Sequence, residues 1–225
     1  MPSLTHRLNQ QIEAKHLLKH PFYVAWTSGA LTLADLQLYA AQYFAHVRAF
    51  PAYLSEMHCR CEDLDVRKVI AGNLAEEEGG AETHPELWLQ FAAGLGVDNE
   101  SVRRSRACAE VRTLVETYRE VARMDTGLAA AALYCYEKQV PAVSASKIDG
   151  LRQHYGIEDP ATIRYFAVHE TADVRHAAEW ETVIDSTQPH AGQALAVADR
   201  VLDALWGALD GIYAECGAPA GVALA

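Results

Sequence analysis

The sequence predicts an all-α protein, built as a single helical bundle of seven or more helices. Hydrophobic residues recur at spacings of three and four along almost the whole chain, as they do on the buried face of a helix. No stretch alternates hydrophobic and polar residues with the period of two that is typical of a β-strand. Because no linker or internal repeat divides the chain, we expect one domain over residues 1–216 and a flexible tail over residues 217–225.

The predicted helices follow one another with short polar connections. The run that begins at Leu33 shows the helical spacing most clearly, and Thr32 with Asp35 three residues later is a helix-capping pattern. Polar, glycine-containing connections are expected at 27–29, 94–99, 156–160 and 186–192. Helices are therefore predicted at 3–18, 20–28, 33–60, 63–77, 85–94, 99–124, 127–139, 141–155, 160–185 and 191–216.

Composition and charge limit the functional classes. The 225 residues include 19 Lys and Arg against 30 Asp and Glu, a formal net charge of −11. An acidic chain is poorly suited to nucleic acid or anionic membrane surfaces, so we expect neither as a partner. Hydrophobic runs stay below the roughly 18 residues of a transmembrane helix, and the polar N-terminus does not resemble a signal peptide. Five cysteines, an odd number, indicate reduced thiols and a cytoplasmic protein.

Three potential metal ligands share one face of the helix predicted at 160–185. His169, Asp173 and His176 are four and three residues apart, so they fall in a stripe roughly 60° wide. Imidazole and carboxylate groups are common ligands of first-row metals, and their convergence predicts a metal-binding edge. A solvated polar stripe that binds no metal is the alternative for this helix.

A second group of potential ligands surrounds two glycines. Glu77 precedes Gly79 and Gly80, which weaken a helix, and His84 follows them. Pro85 disfavours helical geometry at His84, so we expect Glu77 and His84 on either side of a break. A polar loop without a metal is the alternative, and a metal site is favoured here only in combination with the other groups of potential ligands.

A third ligand is predicted at Glu137, which follows a run of small and hydrophobic residues. A carboxylate in this position is expected to be at least partly buried, and a metal or another cation offsets the cost of burying it. A helix-end glutamate near Pro141 is the alternative. Mixed imidazole and carboxylate ligands suit iron or manganese better than structural zinc, and six ligands are about right for two metals. The predicted ligands are Glu77, His84, Glu137, His169, Asp173 and His176.

Five segments of the sequence resemble a known family over residues 15–206. They are residues 20–26, 49–54, 132–137, 147–151 and 165–177. The sequence resembles the heme-oxygenase-like dimetal oxidases that include the chlamydial protein associating with death domains and its bacterial relatives. The same broad superfamily contains the pyrroloquinoline-quinone synthesis protein C. The resemblance implies a heme-oxygenase-like bundle, and the family's six metal ligands match the six residues chosen above.

The resemblance also implies an activity, which is oxygen-dependent formation of 4-aminobenzoate for folate biosynthesis. It implies a centre of two metals, Fe/Fe or Fe/Mn, with dioxygen as co-substrate and a reductant. The family is implied to be its own substrate, with a tyrosine that supplies the ring and a lysine that supplies the amino group. The matching residues here are Tyr23 and Lys147, and further family tyrosines match Tyr39, Tyr136 and Tyr165.

Several alternatives remain open from the residues alone. Tyr39 and Tyr136 also suit ordinary aromatic packing, and Lys147 also suits a surface turn before Leu151. An oxidase of the same fold acting on an external small molecule is one rival function, and a non-enzymatic interaction module is another. Related folds suggest a homodimer, whereas nothing in the sequence requires the death-domain partner in the family name.

Overall fold

The structure is a computed structural model that describes residues 2–217. This part of the chain forms eleven α-helices and no β-strand, which confirms the all-α prediction. The tail predicted at 217–225 lies outside the described residues, apart from Gly217. Among the described helices, none combines the length and hydrophobicity needed to span a membrane. The helices are α1 (Leu4–Ala14), α2 (Pro21–Thr27), α3 (Leu33–Arg60), α4 (Leu64–Glu78), α5 (His84–Gly94), α6 (Asn99–Arg104), α7 (Ala109–Ala122), α8 (Thr126–Glu137), α9 (Val140–Tyr155), α10 (Pro160–Thr187) and α11 (Ala191–Glu215).

Two of the predicted helices differ from the structure. The helix predicted at 3–18 ends at Ala14 and is followed by a short 3-10 turn, Leu17–Lys19. The helix predicted at 99–124 is two helices, α6 and α7, separated by residues 105–108. In this break the Cys108 N–H donates to the Gln42 side chain at 2.7 Å instead of to a carbonyl of its own helix. A tertiary hydrogen bond from α3 thus replaces the local one that the periodicity predicted.

The long helices α3, α10 and α11 organise the bundle. α3 packs against α4, α5 and α7, while α10 packs against α5, α8 and α9. α11 covers α7 and α8 on the other side. α3 begins with the predicted capping box, in which Thr32 and Asp35 exchange side-chain and backbone hydrogen bonds. The interior between α3, α4, α5, α8 and α10 contains the predicted ligands.

Two fully buried tryptophans fix the helices around the predicted tyrosine and lysine. The Trp26 indole N–H donates to the Lys147 carbonyl at 3.3 Å, which joins α2 to α9. A Cβ built on Gly150 lies 2.6 Å from the Trp26 side chain, so only glycine allows α2 to pack this closely on α9. The Trp88 indole N–H donates to the Ala40 carbonyl at 2.8 Å and joins α5 to α3. Both indoles thereby satisfy their polar atom inside the core.

Candidate metal centre and tyrosine–lysine cavity

The structure brings Glu77, His84 and His169 together as a first triad. Glu77 lies near the end of α4, His84 is the first residue of α5, and His169 lies on α10. One ligand atom from each lies within 4.8 Å of the others, and all three are at most 6% exposed. Glu77 and His84 lie on either side of a helix break, as predicted. The expectation that Pro85 keeps His84 out of a helix is wrong, because proline is tolerated in the first turn of α5.

A second triad consists of Glu137, Asp173 and His176, and one ligand atom from each of these residues also lies within 4.8 Å of the others. Glu137 is the last residue of α8, and the other two lie on α10. His176 Nδ1 lies 3.2 Å from Asp173 Oδ1 and 3.8 Å from Glu137 Oε2. All three are at most 3% exposed. Glu137 is therefore both the buried carboxylate and the helix-end glutamate that the sequence left as alternatives.

The stripe on α10 faces the interior and not the solvent. His169, Asp173 and His176 are buried, whereas Val174 on the opposite face is 61% exposed. This arrangement excludes the solvated-stripe alternative. Because α10 contributes ligands to both triads one turn apart, a single helix sets the spacing between them.

The six side chains form a site that suits cations. Burial, together with the negative charge of Asp173, raises the pKa of Glu137 well above its usual value. Burial lowers the pKa of His169 to about 4. His84 Nδ1 is buried and has no hydrogen-bond partner among the described residues, although Glu77 Oε1 lies 3.0 Å away. Two bound metal ions would compensate the carboxylates and occupy the unpaired imidazole nitrogen, so the residues fit a dimetal centre.

Hydrogen bonds from outside the triads orient the ligands. His169 Nδ1 contacts the Tyr165 carbonyl at 2.6 Å, which leaves its Nε2 free to bind a metal. The Trp180 indole N–H donates to Glu137 Oε2 at 2.7 Å. His176 Nε2 lies 3.2 Å from Glu76 Oε2. Sequence reasoning missed Glu76, although this residue belongs to the same acidic run as Glu77. It also missed Trp180, because no spacing rule relates a residue on α10 to one on α8.

The end of α4 allows a first test of the site. A Cβ built on Gly79 lies only 2.1 Å from the Ala75 carbonyl oxygen. Gly79→Ala is therefore expected to shift the end of α4 and with it Glu77. We expect metal at the first triad to be released about tenfold faster or more, while the second triad keeps its metal. Metal content after timed exposure to a chelator measures this difference.

Gly72→Ala is the matched control on the same helix. No atom lies within 4 Å of a Cβ built on Gly72, so alanine is expected to stabilise α4 by up to about 1 kcal/mol and to leave both metals bound. Equal metal release from the two variants would contradict the assignment of Glu77 to the first triad.

Two small cavities lie side by side in the core. The first has a volume of about 10 Å³ and is lined by ligands from both triads. The second has a volume of about 20 Å³ and is lined by Tyr23 and Lys147. Tyr136 and Tyr165 line both cavities and so separate the metal ligands from the tyrosine–lysine pair. Tyr39 lies next to the second cavity, because its hydroxyl accepts a hydrogen bond from Lys147. All five residues matched to the family's functional tyrosines and lysine therefore lie in or beside these two cavities.

Lys147 is buried, which excludes the surface-turn alternative. Its side chain is 5% exposed, and burial lowers the pKa of its amine well below the usual value. The amine donates to the Tyr39 hydroxyl at 2.5 Å and lies 5.3 Å from the centre of the Tyr23 ring. An amine whose burial favours the neutral form therefore lies beside two tyrosine rings.

A series of tyrosine side chains in contact with one another leads from Tyr23 toward the metal ligands. The Tyr23 and Tyr39 hydroxyls lie 3.5 Å apart, and Tyr39 stacks on Tyr43 with ring centres 5.3 Å apart. The Tyr43 hydroxyl lies 3.5 Å from that of Tyr136. Burial raises the pKa of Tyr43 to about 12, and it also raises that of Tyr23, so these phenols keep their protons. Sequence reasoning missed Tyr43, for which the spacing of four from Tyr39 on α3 was the available signal.

Comparison with known proteins identifies the family. The sequence matches the family of iron-containing redox enzymes over residues 37–209. The chain belongs to this family. It is therefore an oxidoreductase, and the two buried triads together with the family's iron support a dimetal centre.

Individual relatives and structural neighbours of this chain agree with its membership of the family. The chain is 43% identical over 216 residues to the 4-aminobenzoate synthase of Nitrosomonas europaea, covering 90% of this chain and 87% of the relative. It is 40% identical over 206 residues to the 4-aminobenzoate synthase of Chlamydia trachomatis, covering 91% and 89%. A Shewanella denitrificans domain of unknown function with a heme oxygenase-like fold is 19% identical, with a TM-score of 0.77 and coverage of 94% and 91%. The fold of this family member is accordingly heme oxygenase-like.

Proposed function

We propose that this protein forms 4-aminobenzoate in an oxygen-dependent reaction, with its own Tyr23 as the source of the ring and its own Lys147 as the source of the amino nitrogen. Two relatives that are 40% and 43% identical carry the name 4-aminobenzoate synthase. The six residues of the triads would hold the metals, and their imidazole and carboxylate ligands suit Fe/Fe and Fe/Mn alike. In this reaction a bond forms between the lysine nitrogen and the ring carbon that carries the hydroxyl, whose oxygen leaves as water, and the Cε–Nζ bond of Lys147 breaks as Cε is oxidised to an aldehyde. The Cα–Cβ bond of Tyr23 breaks and Cβ is oxidised to the carboxyl carbon of the product. Dioxygen is the proposed oxidant and is reduced to water, and an external reductant supplies the electrons that its reduction needs beyond those from the two side chains.

The size of the tyrosine–lysine cavity is the observation that carries this proposal. Its volume of about 20 Å³ is close to that of one water molecule, whereas small-molecule sites occupy about 300–1,000 Å³. An external aromatic substrate does not fit beside Lys147 unless the core opens. A phenol ring and an amine are already packed there as Tyr23 and Lys147, so the protein itself supplies both components.

The surrounding residues prepare this pair for reaction. Burial lowers the pKa of the Lys147 amine and so favours the form whose lone pair can attack an electron-poor ring. The Tyr23 hydroxyl lies beside that of Tyr39, which in turn accepts a hydrogen bond from the Lys147 amine, so the phenol of Tyr23 is connected through Tyr39 to a basic nitrogen. Bound metals of this type would supply the capacity to activate dioxygen. Tyr136 and Tyr165, which line both cavities, are proposed to connect the metal cavity with Tyr23 by transfer of single electrons.

Isotope labelling tests the proposal directly. Protein is prepared with carbon-13 in its tyrosines and nitrogen-15 in its lysines, then loaded with iron and manganese in unlabelled buffer with oxygen and reductant. We expect 4-aminobenzoate that carries both labels, and we expect product to level off near one molecule per chain. Mass spectrometry of the product and of the spent protein measures both results, with mass changes expected at Tyr23 and Lys147.

A different labelling result would favour the external-substrate oxidase. Unlabelled product, or many turnovers per chain, would contradict the self-consuming reaction. Unlabelled nitrogen with a labelled ring would retain Tyr23 as the ring source and exclude Lys147 as the nitrogen source.

A further inference from the structure

A buried histidine outside both triads lies in the metal cavity. His46 on α3 is 1% exposed and lines the first cavity together with Glu77, Glu137, His169 and Asp173. It is not part of either triad. Neither the predicted ligands nor the tyrosines matched to the family include this residue, so its role is unassigned.

The two ring nitrogens of His46 have different surroundings. Nδ1 lies 3.4 Å from the Tyr53 hydroxyl, whereas Nε2 has no hydrogen-bond partner among the described residues. A buried polar atom that has lost its hydrogen bonds to water and gained no partner destabilises the folded state. Because such atoms are rare in a folded core, an unpaired nitrogen on a residue that lines a metal cavity points to a partner supplied from outside the chain.

Tyr53 selects the tautomer of His46. Burial lowers the pKa of His46 to about 3, so its ring is neutral at pH 7 and has one N–H. The Tyr53 hydroxyl is also buried, and His46 is its one hydrogen-bond partner among the described residues. If the hydroxyl donates to Nδ1, the ring proton resides on Nε2. The opposite tautomer would leave both the phenolic proton and the Nε2 lone pair unpaired, so the first arrangement is preferred.

Aromatic packing alone explains the ring but not its nitrogen. The rings of Tyr43, Tyr118 and Tyr136 lie 5.2–5.4 Å from the His46 ring in edge-on contacts. A phenylalanine makes the same contacts without bringing an unpaired polar atom into the core. The imidazole is therefore needed for its N–H and not for its shape.

We propose that the Nε2–H of His46 donates a hydrogen bond to the small exogenous ligand that shares the cavity with the metals. The metal-free cavity has a volume of only about 10 Å³, which is an upper bound for the space beside the metals, so a ligand larger than a water molecule or a diatomic gas does not fit. A fixed donor in a closed site stabilises an acceptor that gains negative charge, which suits an oxygen-type ligand. This inference depends on metals binding to the triads, and it is independent of the identity of the product.

Nitric oxide is a suitable probe, because it is diatomic, binds iron(II) and has an N–O stretching frequency that falls when the ligand accepts a hydrogen bond. The iron(II)-loaded protein is exposed to nitric oxide and examined by infrared spectroscopy. In His46→Phe we expect a higher N–O frequency and a dissociation constant about two- to tenfold larger, with two metals still bound. His46→Gln places an amide N–H near the position of Nε2 and is expected to restore the lower frequency.

His46→Asn is the matched control. Its amide reaches the position of Nδ1, so it keeps the contact with Tyr53 and leaves the position of Nε2 empty. We expect it to resemble His46→Phe. If the phenylalanine variant fails to hold metals, the glutamine and asparagine variants decide the question. Equal N–O frequencies in the wild type and in the metal-loaded variants would overturn the proposal.

The tautomer provides a second test that needs neither metal nor turnover. Nitrogen-15 NMR of the metal-free protein is expected to place the proton of His46 on Nε2. In Tyr53→Phe, which removes the hydroxyl donor, the proton is expected to shift at least partly to Nδ1. A proton on Nδ1 in the wild type would contradict the proposed donor. Because 4-aminobenzoate is not measured in either experiment, failure here is distinct from failure of the proposed function.

Discussion

Tyr23→Phe is expected to abolish 4-aminobenzoate formation, to below about 1% of the wild-type yield, while both metals stay bound. Phenylalanine keeps the ring in a position that is 3% exposed and loses only the 3.5 Å contact with Tyr39. Folding stability should therefore change by about 1 kcal/mol or less. Without a hydroxyl the ring has no proton to lose on oxidation, so it is a far poorer electron donor. Chromatographic quantification of product, together with metal analysis, measures the effect.

A control and a companion variant make this prediction specific. Tyr155→Phe removes a buried hydroxyl that has no hydrogen-bond partner among the described residues and does not line the cavity, so product should persist. Lys147→Met keeps the length of the side chain and removes the nitrogen, so product should be lost. Arginine is a poor substitute, because its charge persists in a site that favours a neutral amine. Normal product from Tyr23→Phe would refute the self-consuming reaction.

Removal of one imidazole from either triad is expected to have a comparably large effect. His169→Ala should lose the metal of the first triad and His176→Ala that of the second, and neither variant should form product. Loss of an outer hydrogen-bond partner weakens metal binding about 10–100-fold, so loss of a ligand should cost at least about 100-fold. Metal analysis after gel filtration, with oxygen-dependent product as a second readout, measures both losses.

An exposed histidine provides the control for the imidazole variants. His190 precedes α11 and makes no side-chain capping bond, so His190→Ala should keep two metals and full activity. Two metals per chain and wild-type product in His176→Ala would show that the stripe on α10 does not bind metal.

The sequence predicted those parts of the site that local pattern decides. The spacing of His169, Asp173 and His176 put them on one face of a helix, and packing of that face into the bundle buried all three. Glu137 was predicted to be buried because small and hydrophobic residues precede it along the same helix. The two glycines after Glu77 predicted the break that separates α4 from α5. Each of these inferences depends on neighbours within about two helical turns.

Contacts between distant helices decided the remaining features. The break before α7 depends on Gln42, which is 66 residues from Cys108. Burial of Lys147 follows from packing of α2 on α9 at Gly150, and no local pattern distinguishes this lysine from one on the surface. The division of six ligands into two triads likewise needs the positions of four helices. His46 was missed because a single histidine on an aromatic helix face gives no recognisable spacing.

The burial of Tyr23 has a consequence for the lifetime of the protein. If the ring leaves the chain as product, the spent molecule retains a void where a fully packed aromatic side chain used to be. Truncation of a buried aromatic residue typically costs about 3–5 kcal/mol, which is a large part of the stability of an ordinary domain. A used chain would then unfold more often than a fresh one and become the preferred substrate of cellular proteases. Consumption of the tyrosine would in this way mark the exhausted protein for removal.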